Sequence, residues 1–127
     1  MNKQPGFRGL LVWHQAMGLA KGSYALTKNF PRDERYGLTV QIRRAAISVP
    51  ANIAEGNGRR TRKDYVSFLR IAQGSLRELE TYLLLVVEVN LATREATEPL
   101  LLQLESVARL LNRLIRALEV PRPPPTP

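Results

Sequence analysis

The chain has 127 residues, 44% of them hydrophobic, which is the size and apolar content of one ordinary domain and leaves no room for a second. It has no cysteine, which excludes a disulfide framework or a thiolate metal site, and its single histidine has no second ligand at metal spacing. The formal net charge is +8, and all of it sits in residues 1–64, with twelve Lys/Arg against four Asp/Glu; residues 65–127 balance at seven against seven. A one-sided positive field attracts polyanions, nucleic acid first among them, although a basic protein with no such partner fits the same numbers. The N-terminus lacks an apolar signal core, and the most apolar run, Leu83 to Val87, is far too short to span a bilayer. The chain therefore reads as cytoplasmic, with no membrane partner.

Residues 10–29 form the first predicted helix, with Trp13, Met17, Ala20 and Tyr24 at steps of four, three and four and Val12, Ala16, Leu19 and Leu26 widening the stripe. Gly18 and Gly22 within it suggest the close approach of another backbone. Phe30-Pro31 ends the element, because the residue before a proline avoids the helical region. The second helix spans residues 38–55 on Leu38, Ile42, Ala45, Ala46, Val49 and Ile53, with a kink or short break expected near Pro50. Gly56-Asn57-Gly58 offers left-handed positions to close it.

Thr61 with Asp64 has the pattern of a helix N-cap, and Phe68, Leu69, Ala72, Leu76, Leu79, Leu83 and Val86 follow as the most regular stripe in the chain, stopping near Asn90. Thr93 and Thr97 compete to cap the fourth helix; Pro99 belongs near a first turn and favours Thr97. Its stripe runs through Leu100, Leu104, Val107, Leu111, Leu114 and Leu118. Four helices with short connections bury their stripes most simply as an antiparallel, up-and-down four-helix bundle over residues 1–119. Residues 120–127, rich in proline, read as a disordered tail. Leu84, Leu85 and Val87 on the third helix and Leu101, Leu102 and Leu110 on the fourth widen the apolar surface beyond one core, which implies a homo-oligomer.

No catalytic residues, metal site or cofactor motif emerge. Gly56-x-Gly58 follows a helix and so fails as a dinucleotide loop, and Ser23, Ser48, Ser67 and Ser75 have no base in reach by sequence. Arg43 and Arg44 lie mid-helix, beside a polar stripe of Gln41, Arg44, Ser48, Asn52 and Glu55 that must face water or a polar partner surface. Arg59, Arg60, Arg62 and Lys63 cluster where the third helix begins, and the free N–H groups there add to their pull on phosphate. Arg43, Arg44, Arg59, Arg60, Arg62 and Lys63 are thus the candidate nucleic-acid contacts, reading backbone and shape. The rival reading is a scaffold without nucleic acid, its arginines serving subunit contacts through Glu55, Glu78 and Glu80.

From Phe7 through about Leu118 the chain resembles the four-helix-bundle proteins encoded within intervening sequences of bacterial 23S ribosomal RNA genes. The most specific stretch is Phe30-Pro31 followed by Tyr36-Gly37-Leu38-Thr39-x-Gln41-Ile42-Arg43-Arg44-Ala45-Ala46-x-Ser48-Val49-Pro50-Ala51-Asn52-Ile53-Ala54-Glu55-Gly56-x-Gly58-Arg59, with Leu11-Val12-Trp13-x-x-Ala16-Met17 and Ala72-x-Gly74-Ser75-Leu76-x-Glu78-Leu79-Glu80-Thr81 matching as well. The resemblance implies a protomer that assembles into a ring, a pentamer in some members, with no enzymatic activity assigned. Related bundle proteins are accessory factors of diversity-generating retroelements, which adds a reverse transcriptase, or another protein, to the implied partners.

Overall fold

The computed structural model describes residues 6–34 and 36–121. Within them four helices, α1 (Leu11–Thr27), α2 (Leu38–Asn57), α3 (Arg62–Glu88) and α4 (Arg94–Glu119), are accompanied by two short 3-10 turns, Gly6–Gly9 and Arg32–Glu34, and no strand. No helix among the described residues is long and apolar enough to cross a membrane. The proline-rich residues 122–127 lie outside the description.

Each helix has two neighbours: α1 touches α2 and α4, and α3 touches α2 and α4. Paired residues run in opposite numerical order along these contacts. Ser48 meets Ser75 and Asn57 meets Tyr65 between α2 and α3, while Gln73 meets Asn112 and Arg70 meets Glu119 between α3 and α4. One core fills the centre, from Val12, Ala16 and Leu19 through Ile42, Ala46, Val49 and Ile53 to Leu76, Leu79, Leu83, Leu104 and Leu111.

The stripe of α1 is rotated from the one its large side chains suggest. Val12, Ala16, Leu19, Ser23 and Thr27 are buried, whereas Met17 and Tyr24 are 46% and 42% exposed. Ser23 and Thr27 tolerate burial because their hydroxyls donate to the carbonyls of Leu19 and Ser23, both at 2.9 Å. On α4, Ile115 is buried where Leu114 and Leu118 are only half-buried. Gly18 and Gly22 do face a neighbour closely, but it is the side chains of Gln103 and Leu100 on α4 and not a backbone.

The helix ends correct two further expectations. Thr93, and not Thr97, caps α4, its hydroxyl accepting from the Ala96 N–H at 3.1 Å. Thr97 is buried and bonds back to the Thr93 and Arg94 carbonyls, so Pro99 falls in the second turn, where the exposed Glu95 carbonyl that loses its partner is open to water. Neither Gly56 nor Gly58 adopts a positive φ; α2 continues through both Gly56 and Asn57. The left-handed residue is Asn90 (φ 62°), which ends α3 with Leu91 N–H on the Val86 carbonyl and Asn90 N–H on that of Val87. Helix α2 also passes Pro50 without a break, because Ala46, Val49, Pro50 and Ile53 are all buried and the core holds the turns on both sides of the missing bond.

Two glycines that look alike in sequence should respond oppositely to Ala. At Gly22 an added Cβ collides with the Leu100 side chain, which is buried, so Gly22→Ala should destabilise by about 1–3 kcal/mol. At Gly74, in mid-α3, nothing lies within 4 Å, and Gly74→Ala should stabilise by roughly 0.5–1 kcal/mol. Urea denaturation of both variants measures the pair.

Candidate nucleic-acid interface

The six candidate cations do not form one patch. Arg43 turns toward α1: its Nε donates to Thr27 Oγ1 at 2.8 Å, and its guanidinium lies 4.5 Å from the centre of the Tyr24 ring. Arg44, one residue on, turns toward α3, where its Nη2 donates to Glu78 Oε2 at 2.7 Å and to Gln41 Oε1 at 3.0 Å. The polar stripe of α2 thus faces a polar partner surface, and that surface is α3. Ser75 donates to Ser48 at 2.7 Å, and Asn52 bonds the Ser48 hydroxyl and carbonyl. These serines complete an interhelical seam.

From Arg44 to the end of α2 at Asn57 is roughly 20 Å at about 1.5 Å per residue. There the other four cations gather. Arg59 lies 4.6 Å from the centre of the Phe68 ring and 3.6 Å from Glu55, a helical-spacing pair worth little when exposed. Arg62 donates to the Val120 carbonyl at 3.1 Å, tying the start of α3 to the end of α4. Arg60 and Lys63 are exposed, with no ion pair among the described residues. Thr61 caps the helix through the Asp64 N–H at 3.1 Å.

A groove of about 520 Å³ opens beside this cluster, between the start of α3 and the end of α4, lined by Arg62, Lys63, Val66, Ser67, Arg70, Leu118 and Glu119. Arg70, outside the six candidates, is a further cation on the wall of this groove. It falls two turns after Arg62 and two turns before Arg77, so a count at steps of seven and eight along α3 finds it. Glu119 neutralises part of its charge at 3.3 Å, and its other nitrogen holds Gln73 at 3.0 Å.

A family model described as 23S rRNA-intervening sequence protein matches residues 8–113. The chain belongs to that family. A solved crystal structure from Bacteroides thetaiotaomicron, described as a protein of unknown function from the S23 ribosomal protein family, superposes with a TM-score of 0.75 at 26% identity, covering 84% of this chain and 99% of that one. No curated protein matches. The intervening-sequence protein family therefore fixes the helical fold and leaves the chemistry of the basic surface to be read from these side chains.

The three carboxylates through which a scaffold was expected to bind its arginines are all engaged within the chain: Glu55 with Arg59, Glu78 with Arg44 and Glu80 with Arg77 at 2.7 Å. The hydrogen bond from Arg44 holds the Glu78 carboxyl below its ordinary range, and Glu78 in turn raises Arg44. Since the depressed value belongs to the folded state, the stabilisation is present above the unfolded carboxyl pKa and is lost as pH falls through the folded one. Both side chains are about half exposed, at 53% and 43%, so the effect is small. Glu78→Gln should cost a little stability at neutral pH, and the difference from the parent should vanish in acid, below the ordinary Glu range. Thermal melts of both proteins across pH 3–7 check this on roughly the scale over which carboxyls titrate.

Proposed function

We propose that this protein is a non-enzymatic, homo-oligomeric accessory factor of the cytoplasm that holds nucleic acid by its backbone. Arg59, Arg60, Arg62 and Lys63, joined by Arg70, supply the contact. One observation carries the reading: Lys63 on the wall of an open groove, and the exposed Arg60 close to it in the chain, have no carboxylate within ion-pair distance among the described residues. Charges left unneutralised at a helix start are suited to phosphate, which also meets the free N–H groups and the positive end of the helix dipole. Arg43 and Arg44 move to a lesser role, since Thr27, Tyr24 and Glu78 already occupy them.

The protomer in this reading is an antiparallel, up-and-down bundle with a bend of α2 at Pro50, and it assembles with copies of itself into a ring, as the family resemblance implies. The exposed Leu84, Leu85 and Leu102 support assembly, while Val87, Leu101 and Leu110 are spent largely on the protomer's own core. An accessory place beside a reverse transcriptase or another nucleic-acid enzyme suits a basic ring that has no catalytic group of its own.

Replacing Arg59, Arg60, Arg62 and Lys63 with Gln should weaken binding to unrelated RNAs and duplex DNAs alike. The log–log salt slope of the parent should flatten by about 0.7–0.9 for each phosphate contact removed. Fluorescence anisotropy at a series of salt concentrations measures both, with circular dichroism confirming the fold. An unchanged slope would place the contact elsewhere, and a parent that fails to bind at low salt would leave the scaffold reading in its place.

A further inference from the structure

Two faces of the protomer carry exposed apolar side chains inside rims of opposite charge. Between α1 and α2 runs an apolar groove of about 540 Å³, lined by Met17, Ala20, Tyr24, Ile47 and Pro50 with Lys21 at its edge. Past Tyr24 and Ile47 it continues into a depression of about 410 Å³ walled by Tyr36, Val40 and Arg43. Met17, Tyr24, Val40 and Ile47 are each 42–46% exposed, and no carboxylate lines either depression. Lys21 and Arg43 have no ion-pair partner among the described residues.

The complementary face is built by the second half of α3 and the first half of α4. The zero net charge of residues 65–127 conceals a strongly acidic segment, since residues 78–105 hold six carboxylates against Arg94 alone. Counting in opposite directions from the Gln73–Asn112 contact between α3 and α4 brings Leu84 level with Leu101, Glu80 with Glu105 and Glu88 with about Glu98. Leu84 is 54% exposed. Of the four carboxylates around it, Glu80 alone has an ion-pair partner among the described residues, Arg77 at 2.7 Å. By that count an exposed Leu84 shares its face of the α3–α4 pair with four carboxylates, with Arg77 and Arg94 toward the ends.

Since α1 and α2 lie across the core from α3 and α4, the groove and the ridge of one protomer cannot meet. We infer that a second copy of this chain seats its Leu84 ridge in the α1–α2 groove of the first, with Glu80, Glu88, Glu98 and Glu105 facing Lys21 and Arg43. The inference rests on the self-assembly proposed above and adds which faces meet. Apolar contact at the centre supplies affinity, while the charged rims steer the approach and fix the register. Because the two faces differ, the contact is head-to-tail: a pair leaves one groove and one ridge free, and growth stops only when a ring closes.

Two monomer-making variants test this. Ile47→Glu puts a charge on the groove floor and Leu84→Glu removes the ridge apex; both sites are about half exposed, so the fold should persist by circular dichroism. By light scattering the parent should be oligomeric and each variant should fall to the protomer mass. Mixed in equal amounts, the two should form a complex of twice the protomer mass and no larger, because one intact groove then meets one intact ridge. A mixture that stays monomeric, or a variant that keeps the parent's size, overturns the pairing of faces while self-assembly stands. A monomeric parent sinks self-assembly and this inference with it. Were Ile47→Glu to keep its mass and lose oligonucleotide binding, the groove would belong to nucleic acid and the inference would fail. Lys21→Glu and Glu105→Lys, both at exposed positions, form the milder second pair should either Glu variant unfold, with the same ordering of masses.

Discussion

The seating of α2 on α3 is the constraint from which the rest of the surface follows. Gly56 lies beneath α3, where a Cβ would stand 2.9 Å from the Phe68 Cβ and 3.0 Å from the Tyr65 ring, so only glycine lets the two helices meet at that end. Midway, the small side chains of Ser48 and Ser75 meet, the Ser75 hydroxyl donating to that of Ser48 at 2.7 Å. These contacts fix one register. In that register Arg44 falls opposite Glu78, Asn57 reaches the Tyr65 hydroxyl, and Arg43 is turned the other way onto Tyr24. The connection from α2 to α3 is short, so Arg59, Arg60, Arg62 and Lys63 are gathered at the end of the molecule.

The helices were legible because their apolar side chains recur with helical period, and α3, with the most regular stripe, was read almost as it stands. The face of α1 was misread for a physical reason. Ser23 and Thr27 look polar in sequence, yet each returns its hydroxyl to the preceding turn and can be buried, while Met17 and Tyr24 look like core and line an open groove. Size and hydrophobicity rank side chains by their cost in water, and they do not say which of two apolar faces the fold uses. The caps show the same limit. Thr61 was identified correctly from Asp64 three residues on, but between Thr93 and Thr97 the proline decided wrongly, because an exposed turn can lose one amide bond to water.

The candidate site was half legible. A run of basic residues is plain in sequence, but whether each cation is free depends on carboxylates that arrive from other helices. Arg44 meets Glu78 from α3, and Arg70 meets Glu119 from α4. Charge counted by halves of the chain was likewise too coarse. It located the positive excess, yet it averaged an acidic segment at residues 78–105 against basic stretches on either side. Folded, the chain separates three surfaces: a basic groove at the start of α3, an apolar groove with a basic rim on α1 and α2, and an acidic ridge on α3 and α4. Long-range steering acts on the sum of these fields, whereas contact is decided at each one separately.

The basic groove at the start of α3 and the apolar groove between α1 and α2 are separate surfaces, and the proposed function assigns nucleic acid to the first alone. Backbone amide chemical shifts of the labelled protein, followed while a short single-stranded RNA is added at low salt, test that separation directly. Shifts should concentrate in residues 58–70 and around residues 118–120, with little change at Met17, Tyr24 and Ile47. Shifts centred instead on the α1–α2 groove, with residues 58–70 unmoved, would contradict that assignment.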